Sequence, residues 1–212
     1  MSVHNRPYLL FPVFFFGGIL LLSLVLFQNC KSNDPPRILV FSKTEGYRHA
    51  SIPTGVAALR KLCRENGMLM DSTEDAAAFT EKNLRRYDAV VFLSTTGDVL
   101  NPTQEAEFER YIQAGGGFVG IHAASDTEYG WTWFGGLVGG YFDSHPEIQN
   151  ARLTVERHDH PATKHLGKEW NRRDEWYNFK DMNPKVEVLL KIDESSYKNG
   201  KMGADHPMSW FH

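Results

Sequence analysis

The chain has 212 residues, 42% hydrophobic and 23% charged, with a formal net charge of −3. That composition suits one globular domain with a sizeable core. Basic residues occur as isolated pairs such as Arg85-Arg86 and Arg172-Arg173, which argues against nucleic acid as the main partner, and two cysteines exclude a thiolate-built zinc or iron–sulfur centre.

The first thirty residues stand apart from the rest. A short segment bearing Arg6 precedes an uncharged, mostly apolar run from Tyr8 to Phe27, and then Cys30. An apolar run of about 20 residues reads as an export signal or as one membrane-spanning helix. The cysteine directly after it resembles a bacterial lipoprotein signal, in which that residue is lipidated and becomes the new N-terminus. Gln28 and Asn29 depart from that pattern, because small residues are usual there. Either reading places the domain in the cell envelope, membrane-anchored as a lipoprotein or periplasmic. Residues 31–36, KSNDPP, form a polar tether. With Cys30 lipidated no internal disulfide can form, so Cys63 reads as a small buried apolar residue.

From Arg37 the pattern alternates between short apolar runs and amphipathic segments. RILVFS (37–42) predicts a buried strand. In the next segment Ile52, Val56, Leu59 and Cys63 recur at helical spacing, with Ser51 as the expected cap and Gly67 as the stop. MLMDS (68–72) predicts a second strand, FTEKNLRRY a short helix and AVVFLS (89–94) a third strand. NPTQEAEFERYIQAGGG predicts a helix capped by Asn101, with Pro102 at its first position and Gln104 completing a capping box. Phe108, Tyr111 and Ile112 form its inner face, and FVGI (118–121) is the fourth strand.

Strand–helix alternation with short connections implies a parallel sheet covered on both faces. The expected fold is therefore α/β, a flavodoxin-like three-layer sandwich with a mainly parallel sheet. Beyond residue 130 the chain is less regular. A Gly- and aromatic-rich loop with a short helix is followed by an edge strand at ARLTVER (151–157), a helix at ATKHL, strands at DEWYNF and VEVLLKID, and a strand-like HPMSW. The five tryptophans read equally as core filler or as sugar-stacking surface.

In such a sheet ligands bind at the carboxyl ends of the strands. That rule selects KTEGYRH (43–49), TTGD (95–98) and His122 with AASD, which together carry lysine, arginine, carboxylates, hydroxyls and two histidines. His122 ends a strand between Gly120 and the pair Ala123-Ala124, small residues that leave room for a tight turn. An imidazole there suits acid–base work or metal ligation.

Six segments in order, FSKTEGYRHASIPTG, VVFLSTTGD, GGGFVGIHAASD, YFDSHP, DEWYNF and HPMSW, resemble the ThuA-like (trehalose utilisation) family over residues 37–212. The resemblance implies the class I glutamine amidotransferase-like variant of the flavodoxin-like sandwich. It also implies a sugar substrate such as trehalose or a keto-glycoside. Amidotransferases carry a cysteine at the fourth-strand elbow. Here that residue is His122, so their chemistry does not transfer. Domains of this family continue past HPMSW with a further strand and helix, so the chain reads as C-terminally truncated, with an unpaired sheet edge.

His122 and Glu175 are the expected catalytic pair. His49, Tyr47, Arg48, Thr96, His145, Tyr177 and His206 are expected to line the substrate pocket. His49, His122, His145 and His206 are candidate ligands for a divalent metal such as Zn²⁺, though they lie too far apart in sequence for spacing to support this. His158 and His160 have metal-pair spacing but read better as the start of a helix. Carboxylate plus imidazole suits proton abstraction beside a carbonyl or activation of water at a glycosidic carbon. The expectation is a hydrolase or isomerase. A non-catalytic sugar-binding module and an inactive truncated product stand as the alternatives.

Overall fold

The structure, a computed structural model, describes residues 34–212. The leader, Cys30 and the first three residues of the tether lie outside the described residues. Among the described residues no helix is long and apolar enough to cross a membrane.

Strands β1 (Arg37–Phe41), β2 (Leu69–Thr73), β3 (Ala89–Leu93) and β4 (Gly117–Ile121) form a parallel sheet in the order β2-β1-β3-β4. Side chains alternate across a strand. Leu39, Phe41, Val90 and Phe92 therefore face one core, together with Phe79, Leu84, Phe108 and Phe134. Val40, Val91 and Leu93 face the other, against Val56 and Leu59 of α1 (Ile52–Glu65). Helices α2 (Glu81–Leu84), α3 (Pro102–Gln113) and α4 (Thr132–Val138) contribute to the first core. Burial on both faces explains why β1 and β3, the two interior strands, read as continuously apolar. The result is the expected three-layer α/β sandwich.

The helix ends follow the sequence unevenly. Asn101 and Gln104 form the capping box at α3. Ser51 precedes α1 but has helical torsions and makes no side-chain capping bond, a correction to its expected role. Gly67 takes φ 67° just past α1, where a left-handed residue closes the helix without a Cβ clash.

The second half builds separate antiparallel sheets. β6 (Gln149–Val155), β7 (Glu169–Asp174), β9 (Glu187–Ile192) and β10 (Pro207–Phe211) pair in the order β10-β9-β6-β7. Ala151, Leu153, Val155, Trp176, Leu190 and Ile192 form the core of this sheet. β5 (Tyr141–Ser144) pairs with β8 (Asn178–Lys180). The strand expected at an edge, 151–157, is interior, because β7 and β9 flank it. The expected ATKHL helix is only a turn: the amides of Thr163 and Lys164 both donate to the His160 carbonyl, and no helical ladder continues. The DEWYNF strand is interrupted, with β7 ending at Asp174 and β8 starting at Asn178. Among the described residues the outer side of β4 is unpaired, and Val119 on it is 47% exposed.

Candidate active site

The loops after β1, β3 and β4 are laced together at the carboxyl edge of the parallel sheet. The Glu45 amide donates to the Thr96 carbonyl (2.8 Å), and the Gly97 amide donates to the Asp126 carbonyl (2.8 Å). The hydroxyls of Thr95 and Thr127 lie 2.8 Å apart in the buried seam. Each loop is thereby fixed against the next before any side chain reaches the cleft.

His122 sits where β4 ends and a one-turn 3₁₀ helix, His122–Asp126, begins. Its φ is +56°, in the left-handed region. A residue with a Cβ costs about 1–2 kcal/mol there. The crowding that Gly120 avoids is measurable, since a Cβ on it would stand 3.2 Å from the Cβ of Ala124. Such strain at a ligand-facing position is a reason to look for function there.

The opposite wall comes from the break between β7 and β8. Trp176 points back into the antiparallel sheet's core, 2% exposed, and its indole donates to the Gln149 carbonyl (2.8 Å). It is packed, not available for stacking on a sugar. Its neighbours Glu175 and Tyr177 face the other way, toward His122.

These two walls meet. Glu175 Oε2 lies 3.3 Å from His122 Nε2 and 3.6 Å from His49 Nε2. Tyr177 Oη lies 3.3 Å from His122 Nε2 and 3.5 Å from His49 Nε2. The two imidazoles pack edge to face at 4.5 Å, and His122 stacks on Tyr177 at 4.7 Å. The side chains remain partly accessible, 27% for His122 and 20% for Glu175. Burial, and then the neighbouring His49, hold the His122 pKa below the usual histidine value, against an opposing pull from Glu175. Burial, and then Glu175, push the Tyr177 hydroxyl well above the ordinary tyrosine value, so it stays protonated and able to donate.

The remaining sequence candidates divide. Tyr47 packs against His49 at 4.9 Å and is 71% exposed, at the mouth of the site. His145 stacks on Tyr177 at 5.7 Å, with its Nδ1 2.8 Å from the Pro146 carbonyl. Thr96 is buried, donating to the Tyr47 carbonyl (3.0 Å) and accepting from the Gly46 amide (3.2 Å), so it shapes the loop and offers the cleft no free hydroxyl. Arg48 forms a two-pronged pair with Glu74 (3.0 and 2.7 Å) at the surface, outside the cluster.

His206 is fully buried outside the cluster, with both ring nitrogens engaged. Nε2 lies 2.7 Å from the Tyr177 carbonyl and Nδ1 lies 2.8 Å from Glu194. It holds the segment that carries Tyr177, and has no nitrogen left for a metal. His160 accepts from the Ala162 amide (3.2 Å) and stacks on Phe211, also outside the cluster. Phe142, 4.4 Å from Tyr177 ring to ring, was not singled out from sequence, although it shares the YFDSHP segment with His145.

Residues 37–212 match the ThuA family, trehalose utilisation. The chain belongs to this family. A ThuA-like protein from Bacteroides uniformis is similar to it at 26% identity, over 84% of this chain and 78% of that one, with a TM-score of 0.72. A ThuA-like protein from Parabacteroides merdae shares the fold at 20% identity, over 83% and 74% of the two chains, with a TM-score of 0.68. No curated protein shows significant similarity.

In this ThuA-family chain, His49, His122 and Glu175 bring one donor atom each within 4.8 Å of one another. Donors around a tetrahedral Zn²⁺ with bonds near 2.0–2.1 Å sit about 3.3–3.4 Å apart. The separations of 3.3 and 3.6 Å from Glu175 to the imidazoles fit that requirement. A ligating histidine is usually anchored through its second nitrogen. His49 Nδ1 is buried without a hydrogen-bond partner, which a metal site would leave unsupported.

Proposed function

We propose that this ThuA-family protein acts on small carbohydrates as an acid–base enzyme, a hydrolase or isomerase of keto-glycosides. The observation that carries the reading is one carboxylate oxygen and one phenol shared by two imidazoles at the strand edge. Glycosidases that attack an unactivated glycosidic carbon commonly use a pair of carboxyl groups about 5–9.5 Å apart. In the described cluster Glu175 is the one carboxylate that joins the imidazoles. A single carboxylate with neutral imidazole suits removal of a proton next to a carbonyl.

In this reading His122 Nε2 takes the proton from the carbon beside the keto group. Glu175 stabilises the imidazolium that results. The Tyr177 hydroxyl donates to the oxygen that gains charge as the enolate forms. Return of the proton to the former carbonyl carbon, with the proton of the adjacent hydroxyl passing to the enolate oxygen, gives isomerisation. Loss of the glycosidic oxygen, which takes up a proton, followed by addition of water, gives net hydrolysis. The family's description, trehalose utilisation, supports a sugar-related ligand. Export and anchoring, as a lipoprotein through Cys30 or by an uncleaved helix, rest on the apolar run before that residue.

The test is turnover of a 3-keto-glucoside and of unoxidised trehalose by the full chain, followed by chromatography. Turnover of the keto-sugar is expected, falling by about 10²-fold or more in His122→Ala and Glu175→Gln. Sugar binding without product, unchanged by either substitution, rejects the enzyme in favour of a binding module. The near-tetrahedral donor spacing favours a second reading, in which His49, His122 and Glu175 hold Zn²⁺ as a Lewis acid. Elemental analysis of purified protein, with and without chelator, decides between the two.

A further inference from the structure

A second group of carboxylates lies apart from the imidazole cluster. Asp98 follows β3, Glu105 lies in the first turn of α3, and Glu128 follows the elbow turn. One oxygen from each comes within 4.8 Å of the others. The three are not equivalent. Glu128 is 1% exposed, and its Oε1 accepts from the consecutive amides of Val99 (2.9 Å) and Leu100 (2.8 Å). Its other oxygen, Oε2, is buried with no hydrogen-bond partner. A buried carboxylate oxygen without a partner is expensive, and side-chain or metal neutralisation is the usual remedy. Lys43, which reaches the Val99 carbonyl (3.1 Å), is paired with Glu45 (2.8 Å).

We propose that Asp98, Glu105 and Glu128 form a binding site for a hard divalent cation of the Ca²⁺ or Mg²⁺ class. The donor set is all oxygen, which suits these ions and not the softer metals that imidazole prefers. Asp98 is exposed, so water can complete the coordination shell. The ion would tie the loop after β3 to the start of α3 and to the segment leaving the elbow. Those segments already share backbone bonds, from the Glu128 amide to the Gly97 carbonyl (3.1 Å) and from Gly97 to Asp126. The site is therefore a staple behind His122, separate from whatever the imidazoles bind.

The probes are CaCl₂ and MgCl₂, each added alone to chelator-treated full chain, read by calorimetry and by thermal unfolding. One equivalent is expected to bind with a dissociation constant below about 1 mM and to raise the melting temperature. The double variant Asp98→Asn/Glu105→Gln, which leaves the amide contacts of Glu128 in place, is expected to lose both effects. His122→Ala is expected to keep them, which separates this site from the imidazole cluster. The competing arrangement is a proton shared by Glu128 and Asp98, since burial, and then Asp98, push the Glu128 carboxyl up to about 8. Wild-type protein that takes up neither ion, or a double variant that binds as wild type does, overturns the proposal.

Discussion

His122 Nε2 and Glu175 Oε2 stand 3.3 Å apart, although one belongs to the tip of a parallel strand and the other to a break between two antiparallel ones. Two of the opposing influences on His122 come from its immediate partners: His49 lowers its pKa and Glu175 raises it. In chelator-treated protein, Glu175→Gln is therefore expected to move the His122 titration to lower pH. His49→Ala is expected to move it to higher pH. Nitrogen-15 NMR of the imidazoles reads both, and equal pKa values in all three proteins would mean that the cluster does not form.

The left-handed torsion of His122 predicts an uncommon ordering of variants. Glycine accepts φ +56° without Cβ strain and alanine does not. His122→Gly should be more stable than His122→Ala by about 1 kcal/mol, the reverse of the usual preference for alanine. Urea denaturation of the two variants measures this. An alanine variant of equal or greater stability would show that the elbow relaxes.

His206 predicts a loss of stability. It is fully buried, with the Tyr177 carbonyl on one nitrogen and Glu194 on the other. His206→Ala leaves a cavity and removes a partner from the Tyr177 carbonyl, the Tyr197 hydroxyl and Glu194, which keeps the Met202 amide, and about 2–4 kcal/mol of destabilisation is expected. Chemical denaturation checks the magnitude. A change below about 0.5 kcal/mol would show that the ring is not held as described.

Asp71 gives the chain part of its acid sensitivity. Burial raises its pKa, but the Tyr87 hydroxyl (2.8 Å) and the Arg37 guanidinium (3.0 Å) outweigh burial and hold it below the ordinary value. A depressed carboxylate contributes stability that is fully present above the unfolded value near 3.9 and lost as pH falls through the folded value. Because the pair is partly exposed, screening limits the effect to about 0.5–1 kcal/mol. Asp71→Asn should be less stable at pH 7, with the gap closing below about pH 4. Denaturation midpoints between pH 3 and pH 7 follow it, and a gap independent of pH would assign the loss to packing.

The parallel sheet was legible in the residues because local physics dictates it. Strands such as AVVFL are apolar at every position only if both faces are covered, and Asn101, Pro102 and Gln104 announce their helix without outside help. The strand-end rule also picked His49 and His122, since carboxyl edges are fixed by strand direction. The second half was less readable. Whether 151–157 is an edge or an interior strand depends on which distant segments flank it, and no local pattern records that.

The sequence by itself therefore determined the layered α/β frame and the histidine at its rim, because periodicity and capping are short-range. Only the tertiary structure decided which imidazoles share Glu175, that Trp176 faces inward, that His206 is occupied, and that Asp98 and Glu105 come together with Glu128, whose Oε2 has no partner. Those relations join residues distant in the chain, and they exist only once packing has brought their elements together.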